Sequence, residues 1–201
     1  YRNAGQTCIS ANRIYVQAGV YDAFAEKLKA KVATLKVGPG TEAGVNVGPL
    51  IDLQGLAKVE DHVADAIAKG AKVLLGGQRD PLGGRFYCPT LLADVPVSAK
   101  VSREETFGPV TPLIKFEREE EVISQANASE FGLASYFYTR DIGRAFRVAE
   151  ALESGMVCIN TGMLSNEVAP FGGVKQSGLG REGSKYGIED YLEIKYLCMQ
   201  V

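Results

Sequence analysis

Strand-like apolar runs alternate with helical stretches along the whole chain, and this alternation limits the possible folds more than any other feature. For example, Phe24, Leu28 and Val32 recur at helical spacing directly after the strand-like run at residues 13–17. Successive parallel strands need such crossover helices, so the sequence predicts an α/β fold, a layered and mostly parallel sheet with helices on both faces. The predicted strands lie at residues 13–17, 71–75, 86–92, 110–116, 134–139, 156–160 and 191–197, and the predicted helices lie at 21–35, between Asp52 and Gly70, at 117–128 and at 142–152.

Composition narrows the class of protein. The 201 residues are 46% hydrophobic, which is enough for one large domain or for one domain plus an arm. The net charge of -2 argues against a nucleic acid or an acidic membrane surface as a partner. No apolar run is long enough to span a bilayer, and no secretion signal is visible. We therefore expect a globular protein without nucleic-acid or membrane partners.

The four cysteines and the single histidine limit the available chemistry. The cysteines are far apart and form no Cys-x-x-Cys pair, so with one histidine no metal site is expected. Such sparse cysteine usage fits a reducing compartment, and we expect the cytoplasm. His62 is expected at a helix surface or half-buried. That position argues against a cysteine–histidine hydrolase, which would need His62 as its base.

Cys8 is the candidate nucleophile. It follows a polar loop in which the small residues Ala4 and Gly5 leave room for the backbone to approach a ligand closely. A substrate can reach a thiol in such a loop, whereas a thiol inside an apolar run is usually inaccessible. From the residues alone Cys8 could also be a small buried hydrophobe, which is the commoner role of cysteine.

Four stretches together resemble the aldehyde dehydrogenase superfamily. Residues 1–8, with the core Gly-Gln-x-Cys, resemble its nucleophile motif, and residues 48–52 (Gly-Pro-Leu-Ile-Asp) resemble a recurring turn and helix start. Residues 104–109 (Glu-Glu-Thr-Phe-Gly-Pro) resemble its cofactor-contacting motif, and residues 170–183 resemble its C-terminal signature. Because all four follow the family's order and spacing, the chain is identified as a member that matches the second half of the family's sequence.

The resemblance implies oxidation of an aldehyde, with NAD or NADP as cofactor, through a thioester on Cys8. It also implies that Glu105 binds the cofactor ribose and that Phe107 supports the nicotinamide. The two side chains point to one side of an extended segment, although spacing alone favours a surface Glu and a core Phe. In the family the base Glu, the second oxyanion donor and the Gly-rich nucleotide turn belong to the N-terminal half, so we expect them outside these residues.

Three residues are the candidate substrate contacts; Arg2 and Ser165 resemble those of the succinate-semialdehyde dehydrogenase subfamily, and Phe171 resembles an aromatic residue of the wider family. The guanidinium of Arg2, six residues before Cys8, suits a distal carboxylate, although Arg2 could instead be a surface charge. The resemblance implies that Ser165 adds a hydroxyl donor and that Phe171 lines the substrate site. The expected reaction is oxidation of succinate semialdehyde to succinate, and the alternative is another carboxylated aldehyde such as glutarate semialdehyde.

The resemblance also implies a domain organisation. Residues 1–184 would form the catalytic domain and residues 185–201 an arm, whose strand at 191–197 pairs across subunits of a homo-oligomer, a dimer or a tetramer. The family's N-terminal nucleotide-binding domain is expected to be absent from these residues, which we interpret as a fragment that cannot turn over alone. The alternative of another class is a non-catalytic, oligomer-forming fragment.

Overall fold

The computed structural model describes all 201 residues, which form two compact units, Tyr1–Val122 and Ile123–Val201. The first unit contains the nucleophile motif and the cofactor motif, and the second contains the C-terminal signature. No helix is both long and apolar enough to cross a membrane. The predicted domain boundary at residues 184 and 185 does not coincide with this division and stays a prediction.

The first unit is built on a four-stranded sheet. The strand order is β1-β4-β3-β2, and β4 pairs in parallel with both of its neighbours, while β2 is antiparallel to β3. Because strands adjacent in the sheet are distant in the chain, helices must cross between them, as the alternating pattern predicts. The strands are β1 (Ile14–Gln17), β2 (Lys72–Leu75), β3 (Thr90–Ala93) and β4 (Val110–Phe116).

Helices cover both faces of this sheet. Neighbouring strand residues point to opposite faces, so Leu91 and Leu113 pack in one apolar cluster with Tyr21 of the first helix. Leu92 and Ile114 pack in a second cluster with the apolar face of the second helix. The predicted mostly parallel α/β sheet with two covered faces is confirmed. The helices of this unit are α1 (Tyr21–Val32), α2 (Leu53–Ala68) and the short α3 (Lys100–Arg103).

Both ends of α2 follow from capping residues in the sequence. The Asp52 carboxylate accepts a 2.7 Å hydrogen bond from the Gly55 N–H, which satisfies one free donor of the first turn. Gly70 follows the helix with a φ of +103°, a conformation that glycine adopts without strain. Near its end the apolar face of α2 includes Ala66, which is fully buried, but not Ile67, which is 45% exposed.

The second unit contains one βαβ crossover and one short antiparallel pair. Strands β6 and β7 pair in parallel, and α5 crosses between them. Strands β5 and β8 pair antiparallel. Because β8 lies within the long Gly-rich loop, this pairing attaches the loop to the rest of the second unit. The elements are α4 (Glu119–Asn127, across the boundary between the units), β5 (Phe131–Gly132), β6 (Ala134–Phe137), α5 (Ile142–Ala151), β7 (Met156–Ile159) and β8 (Val174–Lys175).

Two predicted elements of the first unit need correction. Helix α1 ends at Val32 rather than at residue 35, because the N–H groups of Thr34 and Leu35 donate to the carbonyls three residues before them instead of four. The strand predicted as buried at 71–75 is the edge strand β2, in which Lys72 and Val73 are exposed. An edge strand has a neighbour on one side only and buries less surface.

The strand predicted at residues 191–197 is wrong. A single 3-10 turn, Glu189–Tyr191, is followed by residues without regular structure, in which Ile194 is 100% exposed. Strand geometry depends on a hydrogen-bonded neighbour, and no strand of this chain pairs with the segment. The prediction had this strand pair with another subunit, and that pairing stays a prediction.

Candidate active site

The loop that leads to Cys8 has an unusual backbone. Within the 3-10 turn Arg2–Gly5, φ is +51° at Asn3, +54° at Ala4 and +75° at Gly5. This left-handed conformation is tolerated by Gly and Asn but is costly for Ala. Surrounding contacts must therefore hold the turn, and such held strain is typical of functional loops.

The close packing of Gly5 explains how this turn is held. A Cβ atom on Gly5 would lie 2.0 Å from the carbonyl oxygen of Gly108, so only glycine fits. Gly108 is enclosed from its other side, since a Cβ there would lie 2.3 Å from Cγ2 of Val59 on α2. The room that Ala4 and Gly5 leave, predicted for a ligand, is thus occupied by the backbone of the cofactor motif.

Gln6 ties the nucleophile loop to the turn before α2. Its side-chain oxygen accepts a 2.8 Å hydrogen bond from the Ile51 N–H, and its amide nitrogen donates to the carbonyls of Pro49 and Asn3, each at 3.2 Å. The Asn3 amide in turn donates to the Gln6 carbonyl at 2.9 Å. Two of the recognised motifs, at residues 1–8 and 48–52, are therefore joined by one side chain.

Cys8 is exposed and lies in a turn closed by a 2.9 Å hydrogen bond from the Ser10 N–H to the Thr7 carbonyl. The buried-hydrophobe interpretation of Cys8 is therefore wrong. An exposed thiol at a rigid turn can meet a substrate carbonyl without rearrangement of the backbone.

The other cysteines differ in accessibility. Burial raises the pKa of the Cys88 and Cys158 thiols, so each forms less of the reactive thiolate at neutral pH. Cys198 is exposed, as Cys8 is. Exposure alone therefore distinguishes Cys8 from Cys88 and Cys158 but not from Cys198.

Glu105 and Phe107 lie in the loop between α3 and β4, on either side of a buried Thr106. Both flanking side chains are exposed, with Phe107 at 39%, although the positive φ of Phe107 departs from the extended segment that the sequence predicted. A core role for Phe107 is excluded by this exposure. Its φ of +52° is strained for an aromatic residue, which indicates that the loop holds the ring in a set position.

His62 is fully buried, whereas a surface or half-buried position was predicted. It points from α2 toward the cofactor motif, where its Nδ1 lies 3.0 Å from the Thr106 hydroxyl oxygen and its Nε2 lies 3.4 Å from a Glu104 oxygen. Helical spacing placed it correctly beside apolar neighbours. The partners that compensate for its burial are more than forty residues away in the sequence, and no local pattern reveals them.

Arg2 is exposed and borders a surface groove of about 280 Å³. Lys31 and Asn46 also line this groove, so it combines two cationic side chains with an amide. The side chain of Arg2 is therefore on the surface, and the groove beside it does not include Cys8. The groove is lined by Tyr1, Arg2, Leu28, Lys31, Val32, Leu35 and Asn46.

Ser165 and Phe171 belong to the second unit. Ser165 is exposed in the loop after β7. Phe171 is half-buried, and its backbone exchanges two hydrogen bonds with Glu182, of 2.9 and 2.7 Å. The Gly172 that follows fits tightly, because a Cβ there would lie 2.8 Å from the Gly180 carbonyl oxygen. The aromatic residue is thus fixed by the Gly-rich signature, while the serine lies in an open loop.

A family model described as the aldehyde dehydrogenase family matches residues 1–197. The chain belongs to the aldehyde dehydrogenase family.

Curated relatives place the chain among enzymes named for different aldehydes. A glutarate-semialdehyde dehydrogenase of Pseudomonas aeruginosa is 68% identical over 99% of this chain and 41% of that protein. An NADP-dependent succinate-semialdehyde dehydrogenase of Escherichia coli is 65% identical over the same shares. A 3-sulfolactaldehyde dehydrogenase of Pseudomonas putida is 63% identical, again over 99% of this chain and 41% of that protein. The chain thus spans about two-fifths of the length of these relatives.

A solved structure shows the same fold. The crystal structure of succinate-semialdehyde dehydrogenase from Burkholderia pseudomallei superposes with a TM-score of 0.98 at 62% identity, over 100% of this chain and 42% of that one. The α/β architecture of this aldehyde dehydrogenase chain is therefore shared with its relatives.

Sequence reasoning missed two supporting residues of the aldehyde dehydrogenase site. Gln6 was noted only as polar, although its place inside the Gly-Gln-x-Cys core was a signal. Thr106 was not singled out, although the alternation that exposes Glu105 and Phe107 requires the residue between them to face the interior.

Proposed function

We propose that this chain supplies the nucleophile and two cofactor contacts of an NAD(P)-dependent dehydrogenase, which oxidises a semialdehyde with a distal carboxylate. The contact between Gly5 and Gly108 carries the proposal. It joins the loop of the exposed Cys8 to the loop that exposes Glu105 and Phe107, so the position of the thiol is fixed relative to that of the cofactor contacts.

The residues present fit a nicotinamide cofactor. The exposed Glu105 carboxylate would accept hydrogen bonds from ribose hydroxyls, and the exposed part of the Phe107 ring would pack against the nicotinamide. When bound, NAD or NADP accepts the hydride that the aldehyde carbon loses. Donors that choose between NAD and NADP, like the rest of the nucleotide site, would come from the larger part of an enzyme of the relatives' length.

The chain's own chemistry is centred on Cys8. Its thiolate adds to the aldehyde carbon and forms a thiohemiacetal, and its backbone N–H would donate to the developing oxyanion. After the hydride has left, Sγ of Cys8 holds the acyl group as a thioester. Water then cleaves the thioester and releases the acid, with the activating base supplied from outside these residues.

Arg2 is the proposed determinant of substrate class. The aldehydes named for the three relatives all carry an anionic group away from the reacting carbon, a carboxylate or a sulfonate. An exposed guanidinium with a neighbouring lysine suits such a group. We propose succinate semialdehyde as the substrate, with Ser165 and Phe171 as further contacts, and glutarate semialdehyde as the alternative.

The test compares charged and uncharged aldehydes in the full-length enzyme that carries these residues. Arg2→Ala is expected to lower kcat/KM for succinate and glutarate semialdehydes by roughly ten- to a hundred-fold, the loss of a charge-assisted hydrogen bond. With pentanal, which lacks the carboxylate, kcat/KM should stay unchanged. Equal losses on all three aldehydes would overturn the role of Arg2, while activity that survives Cys8→Ala would overturn the proposed reaction. The ratio of succinate to glutarate semialdehyde kcat/KM in the unmodified enzyme decides between those two substrates.

The exposed carboxyl end favours association of subunits. Ile194, Tyr196 and Leu197 are each more than four-fifths exposed, and such apolar surface marks an interaction site. We propose that residues 185–201 form an arm that pairs with another subunit of a homo-oligomer. Removal of residues 185–201 should then reduce the mass measured by light scattering to that of a smaller assembly or a monomer, and an unchanged mass would contradict the arm's role.

The cytoplasmic location stays a prediction, supported by the four free cysteines.

A further inference from the structure

The buried His62 has two polar partners, and both lie in the cofactor motif. The Thr106 hydroxyl is 3.0 Å from Nδ1, and a carboxylate oxygen of Glu104 is 3.4 Å from Nε2. A buried imidazole without such partners would be strongly unfavourable. The only histidine of the chain is thus held by the loop on which the proposed cofactor site depends.

The chemistry of Thr106 and Glu104 determines which nitrogen of His62 donates a hydrogen bond and which accepts one. A carboxylate only accepts hydrogen bonds, so the ring proton belongs on Nε2, facing Glu104. Burial lowers the pKa of His62, which keeps the ring neutral at pH 7, so Nδ1 carries a lone pair. The Thr106 hydroxyl therefore donates to Nδ1, and this bond fixes the side-chain rotamer of Thr106.

Helix α2 holds the loop at two points one helical turn apart. Val59 encloses Gly108, where any Cβ would lie 2.3 Å from Cγ2 of the valine, and His62 binds Thr106. Between these points lies Phe107, whose positive φ needs external support. Thr106 also separates Phe107 from Glu105, so a change in the backbone dihedral angles of Thr106 would move both side chains, and the buried hydroxyl bond to His62 opposes such a change.

We propose that His62 is a positioning residue of the cofactor site, which acts through the Thr106 hydroxyl to hold Glu105 and Phe107 in their cofactor-binding orientation. This inference rests on the proposed function. It predicts an effect on cofactor binding that is separate from the effect on the aldehyde and from general stability.

Variants of Thr106 in the full-length enzyme test the proposal, because they leave the buried histidine in place. Thr106→Val keeps the shape and removes the hydroxyl, while Thr106→Ser keeps the hydroxyl. Thr106→Val is expected to raise the KM and the Kd for the cofactor on the order of ten-fold, the usual effect of one lost hydrogen bond. The aldehyde KM should change little, and Thr106→Ser should restore most of the cofactor affinity.

Two controls separate positioning from stability. Ser102→Ala removes another buried hydroxyl, which donates to the Pro96 carbonyl at 3.1 Å, and should lower Tm without changing the cofactor Kd. His62→Leu should raise the cofactor Kd at least as much as Thr106→Val, with faster hydrogen exchange at residues 104–108 in the cofactor-free enzyme. Equal cofactor affinity in the valine and serine variants, with only Tm affected, would overturn the proposal.

Glu105→Gln distinguishes failure of the inference from failure of the proposed function. If Glu105→Gln raises the cofactor Kd while Thr106→Val does not, the cofactor site stands and the positioning role of His62 is wrong. If neither variant changes the Kd, the cofactor role of the loop is wrong and both proposals fall.

Discussion

The α-carbon of Gly5 packs against the carbonyl of Gly108, so closely that a single methyl group at Gly5 would lie 2.0 Å from the carbonyl oxygen. This contact joins two motifs that are about a hundred residues apart in the chain. It means that the geometry of the thiol and the geometry of the cofactor contacts cannot change independently. The strength of that coupling can be measured by substitution.

Gly5→Ala is expected to destabilise the first unit by at least about 2 kcal/mol, since the methyl group adds a backbone clash to the cost of a positive φ. Gly44→Ala is the matched control, because Gly44 has a φ of +77°, close to the +75° of Gly5, but has open space around its Cβ position. The loss of stability in each of the two variants is measured as the change in the free energy of unfolding in urea. Equal losses in the two variants would show that the contact with Gly108 contributes nothing beyond backbone conformation.

Gln6→Glu should loosen the nucleophile loop. The new carboxylate can still accept from the Ile51 N–H, but it faces the Pro49 and Asn3 carbonyls, to which the amide donates. Loss of these two hydrogen bonds is expected to cost about 1–3 kcal/mol of stability, measured as the free energy of unfolding in urea. Gln17→Glu, at an exposed position, controls for the added charge. Unchanged stability in Gln6→Glu would contradict the role of this side chain.

The fold was largely predictable because its determinants are local. The apolar periodicity of α1 and α2, the Asp52 cap and the β4 run all specify their elements without distant contacts. The candidate site could be proposed only where a motif carried the information, at Cys8, Glu105 and Phe107, and the roles of these residues stay predictions. The contacts that support the candidate site could not be found from the sequence. Gly5 packs against Gly108, and His62 contacts Thr106. Hydrophobic periodicity contains no information about pairs so distant in the chain. The strand at residues 191–197 is absent for a related reason, since its formation depends on a pairing partner that this single chain does not supply.

The stability of the first unit should fall in mild acid because of His62. Burial lowers the pKa of His62 in the folded state below 6.5, with Lys58 adding to the shift and Glu104 and Asp61 opposing it. The unfolded chain therefore binds this proton first, and stability is complete above pH 6.5 and decreases as the pH falls below it. His62→Gln should remove this part of the acid sensitivity, as seen in Tm measured between pH 5 and pH 8. An identical pH profile in the two proteins would contradict the assigned protonation of His62.

Thiol accessibility should divide the four cysteines into pairs. Cys8 and Cys198 are exposed, whereas burial raises the pKa of Cys88 and Cys158. Iodoacetamide at pH 7.5 should therefore modify the exposed pair first, with the other two slower by about ten-fold or more, because less thiolate is present. Peptide mass spectrometry over time measures the four rates. Early modification of Cys88 or Cys158 would show that these thiols are more accessible than the structure indicates.

The intact mass of these 201 residues tests whether the nucleophile can act without the remainder of an enzyme of the relatives' length. After incubation with NAD or NADP and succinate semialdehyde, we expect no succinyl-sized adduct on Cys8, because the proposed contacts of Glu105 and Phe107 would form only part of a cofactor site. Cys8 should still be alkylated by iodoacetamide, and the Cys8→Ala variant gives the background for both reactions. An adduct that is present in the chain and absent from Cys8→Ala would mean that these residues bind cofactor and transfer hydride unaided. In that case the two motifs joined by Gly5 and Gly108 would be sufficient for the oxidation step, and the remaining three-fifths of the relatives' length would be needed only for release of the acid.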